Sequence, residues 1–438
     1  MNYIVRKILF ILFVTLFIVA APSLILYAQG YRLNLPLTPG GKLIVKTGGI
    51  YLKVDPKQAE VYINGQLSEK TDYFFKYSLV ENLLPRQYRV EVKKSGYQTW
   101  QKDLDVKEKE VTEARNILLF PDKLGFKSAE ENIEDILVSP DLAKIALRGQ
   151  NADGWNLRLY DLAQGVTSKL ADQGDFSAKD AALSGWKWSA DSKALEVPVT
   201  SDKTTVDYAI ITDKTPAQIN KIAKDNTTAT STQDIAIYIA GNANFYLAPD
   251  GYIYKKQVSG TPEIAVKAKM EIDQNSQYSL RVFDNYYFVG KGKELYVLTP
   301  GTEEFKKIFD SLAAAPEISP DGGKVVYYSD SEIWIFFLND KTNQPVARAG
   351  DKQFLIRLSE KISDCHWLNS NYLIFLAGQT VKTAEIDNRD GVNIFNLAKV
   401  ADITGGEPQG TARLFWDGRN RIAYLFTNKT LYQSNPIE

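Results

Sequence analysis

Few residues of this chain have the types and spacing that chemistry requires. Its only histidine, His366, directly follows its only cysteine, Cys365. A thiol and an imidazole form a nucleophile when they meet in space and a third group orients the ring. Neighbours along a strand point to opposite faces, so this pair does not align that way and reads as packing. The same scarcity leaves no Cys/His set for zinc. Asp141, Asp191 and Asp321 each stand two residues after a serine, in Ser139-Pro140-Asp141, Ser189-Ala190-Asp191 and Ser319-Pro320-Asp321. Three carboxylates invite a calcium or acid–base reading. Asp in such a turn, however, accepts hydrogen bonds from nearby backbone N–H groups and fixes the hairpin, and that structural role is the expectation. No Gly-x-Ser-x-Gly elbow and no Gly-x-x-x-x-Gly-Lys-Ser/Thr loop occurs. The expected catalytic residues, metal ligands and cofactors are therefore none. Scattered Asp and Glu leave a polysaccharide-cleaving acid pair as the alternative.

Aromatic side chains are the stronger prospect for binding: the chain has 7 Trp, 24 Tyr and 20 Phe. Trp186, Trp188, Trp367 and Trp416 occupy a recurring strand position and are expected in the core. Trp155 follows the turn Asp153-Gly154, and Trp100 follows Gly96-Tyr97. These two are the candidate ligand-binding residues, which if exposed stack on a sugar ring or anchor a protein partner, with packing as the other reading.

The elements that must position these residues begin with a membrane-length segment. Arg6 and Lys7 precede an apolar run from Ile8 to Ala28, broken only by Thr15, Pro22 and Ser23. About 20 apolar residues span a hydrocarbon core, whereas a cleaved signal has an apolar centre of roughly 7–15. Residues 1–30 are read as an uncleaved signal anchor, with a cleaved signal as the other reading. The bulk of the chain is then extracytoplasmic and the N-terminus inside, although Arg32, Lys42 and Lys46 also flank the span. The 52 Lys+Arg nearly cancel the 53 Asp+Glu, which excludes the basic footprint of a nucleic-acid partner. One cysteine permits no intramolecular disulfide.

Beyond the anchor the composition is that of an all-β protein, rich in aromatic and β-branched residues in short alternating runs. Residues 31–47, with Pro36, Pro39, Gly40 and Gly41, read as a stalk without regular structure. Residues 48–120 read as a small β-sandwich. Ile50–Val54, Ala59–Ile63 and Tyr88–Val92 alternate, and Asn64-Gly65 is a hairpin signal because both residues tolerate positive φ. Asp55-Pro56-Lys57-Gln58-Ala59 through Asn64-Gly65, Leu84-Pro85, Tyr88–Val92 and Gly96–Trp100 resemble a PEGA domain. Lys57, Gln58 and Arg86 depart from its pattern. The resemblance implies a surface-associated, non-catalytic module and no particular ligand.

From Ile136 onward a strand–turn–strand pattern recurs. Its spacing is 50 residues from Ser139 to Ser189, 49 from Ser319 to Leu368 and 49 from Leu368 to Asp417. Such a period marks a β-propeller. Weaker units at Ile235–Tyr254 and Leu280–Leu298 bring residues 121–438 to seven blades, with six or eight as the alternatives. The Ser-Pro-Asp turns resemble the propeller repeats of the translocation protein TolB and of prolyl-oligopeptidase-type peptidases. Ser319 to Gly323 approach the Asp-box turn of sialidase-like propellers, with Val326 where an aromatic is expected. The last unit has three strands where four are needed, so a strand from about Arg115 to Phe126 is expected to supply its outer edge. Asp225 to Gln233 read as a solvated inter-blade loop.

The function expected from these features is that of a membrane-tethered, non-catalytic scaffold of the cell envelope. Its partners are the bilayer, through the N-terminal helix, and an envelope protein or glycan. Three outcomes separate this reading from its rivals. Convergent acids with raised pKa values in a funnel favour a hydrolase or lyase. A mixed polar and aromatic rim favours binding. A face without a pocket favours an architectural spacer.

Overall fold

The computed structural model describes residues 3–33, 44–72, 74–176, 181–189, 191–201, 204–222, 235–240, 243–257, 260–406 and 410–437. Pro36, Pro39, Gly40 and Gly41 of the expected stalk, and the loop Asp225 to Gln233, lie outside these residues.

Helix α1 (Tyr3–Ala28) is long and apolar enough to cross a membrane, and its side chains are exposed along its length. Gly30 ends it at φ 82, where only the left-handed region lets the chain reverse. The Arg32 guanidinium lies 3.6 Å from the centre of the Tyr27 ring and donates to Tyr27 O and Asn82 Oδ1, both at 2.8 Å. The helix is thus hydrogen-bonded to the domain that follows. The stalk expectation is corrected in part: Tyr31–Leu33 (β1) pairs antiparallel with Ile44–Lys46 (β2). Alternating Tyr, Leu, Ile and Val supply the strand pattern there.

Two sheets form the small module. One orders Tyr77–Leu83 (β6), Gly48–Asp55 (β3) and Val111–Leu118 (β9), with β3 and β9 parallel. The other orders Gln66–Lys70 (β5), Glu60–Ile63 (β4), Gln87–Lys93 (β7) and Trp100–Asp105 (β8). The turn between β4 and β5 has Asn64 at φ 50 and Gly65 at φ 78, the geometry the Asn-Gly pair predicts. Ile50, Leu52, Val54, Val61, Val90 and Val92 are fully buried between the sheets.

Among the described residues seven sheets follow, one per blade, six of four strands and one of five. Blade 1 runs from Ile133 to Asp172, blade 2 from Ala182 to Lys221 and blade 3 from Ala236 to Ile264. Blade 4 runs from Tyr278 to Phe309, blade 5 from Glu317 to Arg357 and blade 6 from Ile362 to Lys399. Blade 7 holds Arg413–Asp417, Ile422–Thr427 and Thr430–Ser434. In blade 2 the innermost strand is split into Ala182–Leu183 and Lys187–Trp188.

Blade 7 is completed from the other end of the propeller sequence. Phe126–Glu130 (β10) pairs antiparallel with its last strand, Phe126 opposite Ser434 and Ser128 opposite Tyr432. The closing strand therefore exists but starts where the expected one ends. Residues from Arg115 to Leu118 are already committed to β9, which pairs parallel with β3 in the module sheet.

Indole hydrogen bonds tie blade to blade. Trp188 Nε1 donates to Leu137 O at 2.9 Å, Trp367 Nε1 to Glu317 O at 3.0 Å and Trp416 Nε1 to Leu368 O at 3.1 Å. Each bond joins residues one repeat apart, so the periodic tryptophans are inter-blade pegs as well as core. Module and propeller also share one apolar cluster. Phe120 packs on Tyr372 and Phe395 of blade 6 at ring-centre distances of 5.5 and 5.2 Å.

Candidate functional site

The Ser-x-Asp turns fold as elementary hydrogen-bond chemistry dictates. Ser139 Oγ donates to Asp141 Oδ1 at 2.6 Å, and the Ala143 N–H donates to the same oxygen at 3.1 Å. Ser189–Asp191 and Ser319–Asp321 repeat the arrangement at 2.7 and 2.6 Å, with amides of Lys193 and Gly323 as the further donors. The residue after each Asp has positive φ: Leu142 at 55, Ser192 at 61 and Gly322 at 70. The Ser189 hydroxyl and Lys193 amide hold the Asp191 carboxyl below the usual range. Burial pushes Asp321 up, but Lys324, Ser319 and the Gly323 amide outweigh it and its pKa falls. The Asp141 amide donates to Ser192 Oγ and the Asp321 amide to Ser370 Oγ, so these two turns also clasp the next blade.

The turns of blades 1 and 5 and their counterparts in blades 6 and 7 frame a cavity of about 960 Å³ at one end of the propeller channel. Pro140, Leu142, Pro320 and Arg421 stand at its mouth, and Arg281, Glu317 and His366 lie on innermost strands. Asp55 and Leu118 of the small module form part of its edge. A further groove of about 210 Å³ runs along the seam between module and propeller and shares Asp55, Leu118 and Asn369 with the cavity. Lys53, Lys76 and Arg115 line that groove.

The cavity's three carboxylates are all engaged. Glu317 Oε2 lies 2.9 Å from His366 Nδ1 and Glu317 Oε1 accepts from the Trp367 amide at 3.1 Å. Asp417 accepts from the amides of Arg419 and Asn420 and from Asn420 Nδ2. Asp55 pairs with Lys76 Nζ at 2.8 Å. Burial opposes the charging of His366, but the Glu317 carboxylate wins and its pKa rises. Nε2 of His366 lies 3.2 Å from Leu414 O, which fits a doubly protonated ring.

Cys365 is buried in the apolar cluster between blades 5 and 6, and burial pushes its thiol well up. It has no bond to His366, whose nitrogens are taken by Glu317 and Leu414. Among the described residues no group of three or more His, Cys, Asp or Glu is placed to hold a metal ion.

The two candidate tryptophans take the packing alternative. Trp100 is 1% exposed and donates from Nε1 to Glu385 Oε2 of blade 6 at 2.9 Å. Trp155 is 8% exposed, donates to Ala181 O at 2.7 Å and packs on Phe176. Neither ring offers a free face, because tertiary neighbours that local turn signals do not reveal cover both. Exposed aromatics include Tyr77 and Phe75 at the outer face of the β6-β3-β9 sheet, where Tyr77 stacks on the half-buried Tyr51 at 5.7 Å. Alternation in Ile50–Val54 carries that signal, since it sends Tyr51 and Lys53 to the face opposite Ile50, Leu52 and Val54. Arg281 was also missed, although the alternation of Leu280, Val282 and neighbouring polar residues sets it apart.

No family model matches the chain, and no curated protein matches it. Solved structures similar to it include YCF48 from Cyanidioschyzon merolae, at 11% identity and a TM-score of 0.40, covering 71% of this chain and 98% of that one. A structure described as YCF48 bound to D1 peptide has 14% identity and a TM-score of 0.40, covering 72% and 96%. The crystal structure of the mitotic checkpoint complex contributes a chain with 10% identity and a TM-score of 0.43, covering 73% and 96%. At these scores none of the three bears on what this chain binds. The propeller assignment stands on the seven sheets themselves.

Proposed function

We propose that this chain is a membrane-tethered, non-catalytic scaffold of the cell envelope that holds a partner protein at the mouth of its propeller channel. In this reading residues 1–30 anchor it with the N-terminus inside, residues 48–120 are a PEGA-like module and residues 121–438 present the binding face. The observation that carries it is the cavity, which is open and shaped while each of its carboxylates is already engaged. General acid–base cleavage needs a carboxyl free to exchange protons with substrate. A partner needs only complementary walls, and prolines, aliphatic side chains and cations supply them.

The test is site-specific photo-crosslinking in the native host. Crosslinkers at Leu142 and Arg421, on the mouth, are compared with one at Val166, on the outer strand of blade 1. A single protein adduct from the mouth alone, in a fraction that resists alkaline extraction from membranes, is expected. Adducts independent of position, or sugar released from envelope glycan by the purified chain, overturn the reading.

A further inference from the structure

The cations around the cavity fall into two sets. Lys76, Arg115 and His366 have acidic partners in Asp55, Glu113 and Glu317. Arg281, Arg421 and Lys53 form no ion pair or hydrogen bond with a carboxylate among the described residues. Arg281 is the most telling. Its guanidinium stands 5.5 Å from the Tyr238 ring and makes one hydrogen bond, to its own neighbour's carbonyl, Leu280 O, at 3.0 Å. Burial pushes its pKa down, against Tyr238 and Glu317. A guanidinium has five N–H donors in a planar fork that matches a carboxylate. Glu317 is near enough to act on it but is already held by His366 and the Trp367 amide, so no carboxylate fills the fork, and an anionic ligand seated there recovers part of the desolvation cost.

The three unpaired cations follow one path. Arg281 is inside the channel, Arg421 at its mouth and Lys53 in the seam groove that shares Asp55, Leu118 and Asn369 with the cavity. A path of that form suits an elongated ligand rather than a compact one. The cavity wall sets Pro140, Leu142, Ile145, Pro320 and Leu118 beside polar side chains, of which Ser319, Ser370, Trp367 and Trp416 are already hydrogen-bonded within the protein. A hydroxyl-rich sugar desolvated there loses hydrogen bonds it does not regain. Aliphatic side chains lose nothing.

We propose that channel mouth and seam groove together bind an extended acidic polypeptide segment, whose carboxylates seat on Arg281 and Arg421 and whose apolar side chains face the prolines. This deepens the scaffold reading and rests on it. Lys53 takes a third carboxylate as the segment leaves along the seam.

The experiment uses the full chain in nanodiscs of zwitterionic lipid. The probe is a fluorescein-labelled peptide of alternating Glu and Leu, with an alternating Lys and Leu peptide and polygalacturonate as comparisons. Fluorescence anisotropy is expected to show binding of the acidic peptide alone, weakening as salt is raised. Arg281→Gln and Arg421→Gln are each expected to weaken it about tenfold, the scale of one lost charge-assisted contact. Arg421 is exposed, so its variant keeps the propeller intact even if Arg281→Gln does not. Equal binding of the basic peptide, no binding of the acidic one, or indifference to both substitutions overturns the proposal. Binding of polygalacturonate in place of the peptide overturns it in favour of a glycan. A mouth-specific crosslink in the native host alongside any of these leaves the scaffold reading standing.

Discussion

Trp100 of the small module and Glu385 of blade 6, 285 positions apart, are joined by a 2.9 Å hydrogen bond from Nε1 to Oε2. Lys102 Nζ meets the other oxygen of Glu385 at 2.7 Å, with both side chains buried. The same ammonium donates to the carbonyls of Asp387, Arg389 and Gly391, so the loop after Glu385 wraps around it. Module and propeller are therefore locked together by a desolvated charge pair inside a shared apolar core.

Removing one partner of that pair strands the other. Glu385→Ala is expected to cost about 3–5 kcal/mol, the scale for a buried ion left uncompensated. The double substitution Lys102→Met with Glu385→Leu removes both charges and is expected to recover only part of the loss, because Trp100 Nε1 and the carbonyls of Asp387, Arg389 and Gly391 lose their partners. Urea unfolding of both variants checks this. A double variant no more stable than Glu385→Ala contradicts the account.

The channel pair titrates through the only imidazole, so a single ring proton reports it by NMR. His366 has a raised folded pKa, so its stabilising contribution is complete below its unfolded value of about 6.5. The contribution disappears as pH climbs through the raised folded value. Glu317→Gln is expected to bring the midpoint down toward or below the ordinary value, since burial alone opposes the charge. An unmoved midpoint argues against the pair.

The inter-blade tryptophans carry a separable polar contribution. Trp416→Phe keeps most of the ring's bulk but leaves Leu368 O without its indole donor. A loss of about 1–3 kcal/mol follows from one buried unpaired carbonyl. Thermal melting of Trp416→Phe measures it, and no change in Tm refutes a role for the hydrogen bond.

At the turn of blade 1, Leu142 has φ 55, where the blade 5 copy has Gly322 at φ 70. A side chain in the left-handed region costs about 1–2 kcal/mol, and glycine gives part of that back as chain entropy. Leu142→Gly is expected to stabilise by about 0.5–1 kcal/mol on the same balance. Destabilisation instead shows that the Leu142 side chain contributes packing that exceeds the backbone strain.

Much of this architecture is legible from local rules. A run of apolar residues forms α1, the Asn-Gly pair forms the first hairpin, and the near-50-residue recurrence yields seven blades. The Ser-x-Asp turns fold as hydrogen-bonding side chains require. Each of these depends on residues close in sequence, where period and turn chemistry act directly. Closure of blade 7 was legible in kind and displaced in position, because the edge is defined by register with Ser434 and not by any signal within Phe126–Glu130.

What surrounds Trp100 was not legible, since its environment is made by residues 285 positions away. One clue existed: alternation along β8 places Lys102 on the inward face with Trp100 and Leu104, where a lone charge cannot stay unpaired. Which carboxylate would meet it only the docking of the module on blade 6 decides. The channel is the same case. Arg281, Glu317 and His366 come from three different blades, and the distances among their charges exist only once the ring has closed. Local sequence determined the elements and their count, because hydrogen-bonding period and apolar alternation are short-range. Tertiary structure alone decided which charges are paired and which stand free, because pairing depends on which blades become neighbours in space.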